Sequence, residues 1–257
     1  MATTTIILPA MVISGCVTIL WLVSLRLRDA SIVDIWWGPG FAVIGWIVLA
    51  QHPDPTHRLW LVTALLTLWA LRLGIYLGRR NLGHAEDKRY QAIRAKTPGF
   101  PWVSLVSVFF FQGALQLFVS MPVYGIAAST SALNALDLIA VLLTLAGISL
   151  EATADHQLAR FKRAPGTTDS VLRSGVWGWC RHPNYFGNAL LWLGVGVLAL
   201  AGGSPWWTAA GPAVMWFLLL KVSGVSMLER TIVDRRPEYR RYIEEVPAFF
   251  PNPFSRR

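Results

Sequence analysis

The chain has 257 residues, 54% of them hydrophobic, with thirteen tryptophans and a formal net charge of +9. A mean hydropathy of +0.47 excludes an ordinary soluble domain and indicates an integral membrane protein. The positive charge flanks apolar segments, so orientation and contact with anionic lipid account for it, and no nucleic-acid partner is expected.

Seven segments are long enough to cross a bilayer as helices: 5–25, 36–51, 58–77, 102–126, 134–154, 184–203 and 205–228. The first lacks a basic n-region and a cleavage site, so it reads as a retained helix. Of the 23 Lys and Arg, twenty fall in 26–35, 78–101, 155–183 and 229–257, while the connections at 52–57, 127–133 and 204 carry none. By the positive-inside rule the N-terminus lies outside and the C-terminus in the cytoplasm, as seven spans require. The expected fold is therefore all-α: a single domain over 1–257, an integral membrane bundle of seven transmembrane helices.

Two loops on the basic side, 78–101 and 155–183, have 24 and 29 residues, lengths that imply structure or function of their own. The tail from Glu229 reads as a short amphipathic helix ended by Pro247, Pro251 and Pro253. It either rests on the membrane surface or covers a cofactor. Cys16 and Cys180 are too few and too far apart for a metal site or disulfide framework, and the five histidines show no metal-ligand spacing.

Charged residues inside spans carry functional hypotheses. Trp69, Arg72, Tyr76 and Arg80 recur at helical spacing and share one face of the third helix. Glu151 and Asp155 stand i, i+4 at the inner end of the fifth, with Lys162 two turns on. Asp34 lies at the mouth of the second, and Lys221 and Glu229 toward the inner end of the seventh. Together they predict a polar chamber opening inward, with snorkelling or structural ion pairs as the alternative for each residue. Arg173–Gly187 is a basic, glycine-broken stretch in which Arg181 and His182 supply donors and Pro183 opens a helix near Asn184. Such a helix start favours an anionic ligand. Trp36, Trp37, Trp69, Tyr185 and Trp192 offer stacking surfaces, so the ligand is expected to be anionic at one end and planar at the other.

The segment Gly175–Gly187 resembles the C-terminal signature of the steroid 5-alpha-reductase-like membrane proteins. So do Glu151, Asp155 and Lys162 before it, and Glu229 with Pro237-Glu238-Tyr239-Arg240-Arg241-Tyr242 after it. Asp34-Ile35-Trp36-Trp37-Gly38 and Glu86-Asp87-Lys88-Arg89-Tyr90 resemble a bacterial branch of that group with no assigned substrate. The resemblance is strongest over 145–250. It implies NADPH bound from the cytoplasmic side and reduction of a carbon–carbon double bond conjugated to a ketone in a lipid-like substrate. It assigns Arg72, Tyr76, Arg80, Asp155, Lys162, Asn184, Asn188 and Glu229 to the cofactor, and the donors Arg181 and His182 with the stacking surface of Tyr185 join them as cofactor candidates. Asn188 stands where steroid reductases have a glutamate.

The substrate half departs from the family. Trp36-Trp37 and Trp69 occupy the positions of a Gln-Glu pair and a tyrosine that grip the substrate's ketone oxygen. With no glutamate before Glu86, Asp34 is the nearest replacement acid, and a helix N-cap is its alternative role. Asp34, Trp37 and Trp69 are thus the candidate catalytic residues. Isoprenylcysteine and phospholipid methyltransferases share the Arg-His-Pro-x-Tyr-x-Gly stretch, which keeps an S-adenosylmethionine-dependent methyltransferase as the rival. A non-catalytic lipid-binding relative is the third reading.

Overall fold

The computed structural model describes residues 2–165, 170–222 and 238–254, all in helices, turns and loops. Six helices are long and apolar enough to cross a membrane: Thr5–Leu27, Ile32–Ala50, His57–Asn81, Phe100–Val119, Ala135–Arg163 and Pro183–Ala201. Six such helices fit an integral membrane protein. The expected seventh segment, 205–228, corresponds to the shorter apolar stretch Trp206–Val222, and residues 223–228 lie outside the described residues.

The chain forms two compact units: Met1–Leu133 with Leu198–Gly211, and Asn134–Val197 with Pro212–Arg257. In the first, α1 (Ala2–Leu27) is followed by α2 (Ile32–Ala50) and α3 (His57–Asn81). Small residues let α2 and α3 pack closely. A Cβ at Gly38 would stand 3.3 Å from the Ala70 Cα, and one at Gly74 would meet the Pro39 ring at 3.2 Å. The Thr56 side chain caps α3 by accepting from the Leu59 N–H.

The loop expected at 78–101 contains a helix, α4 (Lys88–Lys96), capped by Asp87. Next come α5 (Phe100–Ser104), a π-helical turn (Leu105–Phe110), α6 (Phe111–Val119) and α7 (Met121–Ala127). The single span expected over 102–126 is thus broken at Ser120, where Pro122 begins a new helix because its ring cannot continue the old one. The fully buried Gln116 of α6 donates to the carbonyls of Trp36 at 3.3 Å and Trp37 at 2.8 Å. Those carbonyls lie within one turn of Pro39, inside α2.

In the second unit, Asn134 and Asp137 form a capping box at the start of α8 (Ala135–Arg163). α8 packs on α9 (Pro183–Ala201), which begins at the proline expected to open it. Backbones meet here: a Cβ at Gly147 would lie 2.5 Å from the Gly187 oxygen, and one at Gly194 would lie 2.7 Å from the Ala140 oxygen. The unit also holds most of α10 (Ala210–Phe217) and the tail helix α11 (Glu238–Glu245). The described part of the tail matches the expected amphipathic helix, burying Tyr239 and Tyr242.

Candidate functional site

In the first unit, the two sequence motifs Asp34–Gly38 and Glu86–Tyr90 come together. The Asp34 carboxylate accepts from the Tyr90 hydroxyl at 2.8 Å and from Arg89 Nη2 at 2.8 Å. Tyr90 Oη in turn accepts from Gln112 Nε2 at 3.2 Å. Arg89 also pairs with Asp87 at 3.0 Å. One turn away, Glu86 accepts from the Ala30 N–H at 2.8 Å and pairs with Arg94 at 2.7 Å. These contacts dock α4 against the start of α2 and correct the N-cap reading of Asp34. Ser31 is the N-cap position, and Asp34, in the first turn, faces the loop instead.

Electrostatics follow from that docking. Burial pushes the Tyr90 phenol up, and the Asp34 carboxylate that accepts its proton pushes it further. Burial disfavours the charged Arg89 guanidinium, but Asp34 and Asp87 overcome this and raise its affinity for the proton. Burial would raise Glu86, yet the Arg94 and Ala30 hydrogen bonds hold it below the usual carboxylate range.

Trp37 stacks edge-on against Phe41 at 5.3 Å, and Phe41 against the fully buried Trp69 at 5.7 Å. Of the expected catalytic trio, Trp37 and Trp69 therefore meet through Phe41, while Asp34 is engaged by α4. Arg72 and Tyr76 are half-buried on α3. Arg80 is exposed, lies 5.9 Å from the Tyr76 ring and donates to Asn81.

In the second unit a polar strip runs along α8 and α9. Glu151 and Asp155 are buried, each 5% exposed, as is Asn188. The Asn188 amide donates to both Glu151 oxygens at 3.4 and 3.5 Å. Its Oδ1 is buried with no hydrogen-bond partner among the described residues. The glycines explain this meeting of side chains: a Cβ at Gly187 would stand 2.6 Å from the Glu151 nitrogen, so only glycine lets the helices approach this closely. Lys162, with Arg160 and Arg163, forms the exposed basic end of α8.

The glycine-broken stretch folds back on α8. Gly175 adopts φ +63° and lies against Gln157, whose Oε1 accepts the Val176 N–H at 3.1 Å. Trp177 Nε1 donates to the Ala154 oxygen at 3.0 Å. Arg181 is buried and donates to the Ile243 and Val246 carbonyls at the end of α11, a favourable place for a cation. Arg173 pairs with Glu245 at 2.9 Å, and Tyr242 donates to the Trp177 oxygen. Buried His182 stacks on Tyr185 at 5.6 Å with planes 9° apart. Asn184 is half-buried in the first turn of α9. Glu229 lies outside the described residues.

The junction residues Tyr90, Gln112 and Gln116 do not stand out in the sequence as site candidates. A tyrosine buried inside a basic 24-residue loop was the available signal for the first. The glutamines carry none, because their partners are backbone carbonyls and a phenol from distant segments. The described residues hold no group of three or more His, Cys, Asp or Glu placed to bind a metal.

A family model described as "Protein of unknown function (DUF1295)" matches residues 20–246. An uncharacterized protein of Schizosaccharomyces pombe is 26% identical over 266 residues, covering 91% of this chain and 76% of the yeast one. No solved structure matches.

Proposed function

The chain belongs to the DUF1295 family, and from that premise we propose that it is an NADPH-dependent membrane reductase. Its substrate is a lipid-like enone whose conjugated carbon–carbon double bond is reduced. The observation that carries this reading is the buried Asn188 Oδ1, an acceptor on a membrane helix with no donor among the described residues. An acceptor held in that setting favours a ligand that brings its own donor.

The residues of the second unit fit the cofactor. Asn188 Oδ1 suits a carboxamide N–H, and Glu151 fixes the amide so that Oδ1 is the atom offered. Asp155, one turn along α8, suits ribose hydroxyls. Arg160, Lys162 and Arg163 suit phosphates, at a distance of roughly 16 Å along the helix from Glu151 to Lys162. The flat His182–Tyr185 pair suits a planar ring. NADPH, when bound, supplies a hydride. The protein's part is to orient it, exclude water and stabilise charge. In the first unit, Asp34 accepts from the Tyr90 hydroxyl, and Trp37, Phe41 and Trp69 pack as one aromatic cluster. Arg72, Tyr76 and Arg80, which the resemblance assigns to the cofactor, stand on α3 of the first unit. We place the basic loops in the cytoplasm, with the stretch from Trp206 onward as a seventh span.

One observation favours a second reading. Glu151 and Asp155 are two buried carboxylates on one helix face, an environment that also suits the cationic S-adenosylmethionine. Thermal-shift titration of the purified protein with each cofactor decides between them. NADPH is expected to raise the melting temperature of wild type and not of Asn188→Leu or Asp155→Ala. Protection by S-adenosylmethionine alone favours methyl transfer. Equal NADPH responses from wild type and both variants remove the reductase reading.

A further inference from the structure

In the first unit, a cavity of about 520 Å³ opens between the last turn of α1, the α4 loop and the start of α5. Its volume falls within the range of small-molecule sites. None of its lining residues belongs to the polar strip on α8 and α9.

Arg28 lines the cavity in the left-handed backbone region, φ 55°, as no other described non-glycine residue does. A side chain kept there costs of order 1 kcal/mol, and such outliers concentrate at ligand sites. Arg28 is exposed and has no ion-pair partner among the described residues. The second cation, Arg94, is held rigid: Nε and Nη2 grip the Glu86 carboxylate at 3.0 and 2.7 Å, and the guanidinium lies over Phe100 at 4.6 Å. That grip leaves Nη1 for a ligand. Arg28, Arg94 and Glu86 sum to one positive charge. The hydroxyls of Ser24 and Ser104 donate to the Trp21 and Pro101 carbonyls, so both offer lone pairs to what enters.

The surroundings point to an amphiphile. Ile19, Leu22, Val23 and Leu27 of α1 form an exposed apolar face, opposite the face that carries the cavity-lining Ser24 and Arg28. Beside the cavity Trp102 is 71% exposed and packs on Trp21 at 5.4 Å, and Trp21 Nε1 donates to the Pro101 oxygen at 2.8 Å. Exposed tryptophan beside arginine at the end of a span marks the depth of lipid headgroups. We propose that this cavity binds the phosphate ester headgroup of an amphiphile, with Arg28 and Arg94 as its cationic ligands and the apolar part outside the cavity, at the depth that Trp102 marks. The Ser24 and Ser104 lone pairs favour a headgroup that also carries a hydroxyl.

The test uses the full chain in neutral detergent, with melting temperature followed against dioleoylphosphatidylglycerol, dioleoylglycerol and glycerol 3-phosphate. Phosphatidylglycerol is expected to raise it, and the other two are not. Arg28→Gln and Arg28→Gly are expected to weaken the response roughly tenfold in lipid concentration. Arg28→Gly keeps the fold, since glycine adopts this φ without strain. Arg26→Gln, an exposed neighbour on α1, is expected to respond as wild type and so accounts for general surface charge. Undiminished responses from both Arg28 variants overturn the site. A response to glycerol 3-phosphate equal to that of the lipid overturns the amphiphile and leaves a soluble phosphate ester.

Discussion

Tyr90 donates its hydroxyl to the Asp34 carboxylate at 2.8 Å across 56 residues of sequence. This bond turns a basic connection into a docked helix and fixes the start of α2. A hydrogen bond to a charged acceptor contributes about 1.5–3 kcal/mol, whereas an ion pair with a half-exposed arginine contributes about 1 kcal/mol or less. Tyr90→Phe is therefore expected to destabilise the protein more than Arg89→Ala, since Arg89 is 41% exposed. Thermal unfolding in detergent ranks the two, and the reverse order contradicts the assignment.

The Glu86–Arg94 pair makes docking of α4 pH-dependent. Glu86 is held below its ordinary value near 4.5, so its contribution is complete above that pH. It is lost as pH falls through the lower folded-state value. The melting temperatures of wild type and Glu86→Gln are expected to differ at pH 6–7 and to converge toward pH 3. A constant difference across that window contradicts the sign.

Helix packing in the second unit depends on Gly187. A Cβ there would stand 2.6 Å from the Glu151 nitrogen, a backbone atom that cannot swing aside. Gly187→Ala is expected to cost about 1–3 kcal/mol through forced separation of α8 and α9. It should also perturb the Asn188–Glu151 contact and with it any NADPH response. Gly15→Ala, with nothing within 4 Å of the added carbon, is the neutral comparison in the same unfolding assay.

Arg181 holds the tail by capping α11. Arg181→Ala strands the Ile243 and Val246 carbonyls and is expected to expose Tyr239–Val246 to proteolysis, at a cost of about 1.5–3 kcal/mol. Limited trypsin digestion followed by mass spectrometry reads this directly. An unchanged cleavage pattern at Arg240 and Arg241 contradicts it.

Burial pushes the Cys180 thiol up to about 11, despite the His182 N–H and the Arg181 charge that act the other way. At pH 7.5 the thiolate fraction is then below about one in a thousand. In a Cys16→Ser background, maleimide is expected to label Cys180 only after denaturation. Rapid labelling of the folded protein contradicts the buried placement.

Membrane class, an all-helical fold and the approximate bounds of six spans were legible in the sequence, because hydrocarbon admits only long apolar helices and their length is counted along the chain. The placement of Glu151 and Asp155 on one helix face was legible for the same reason, since i, i+4 spacing is local. Residues 34 and 90, 116 and 36, and 151 and 188 were paired only by the tertiary structure. Each pair joins segments distant in sequence, through the Asp34 carboxylate, the Trp36 carbonyl and the Glu151 carboxylate, and such contacts leave no periodic trace. That also explains Asp34: its sequence position announces a cap, whereas its partners arrive from a loop folded back on it.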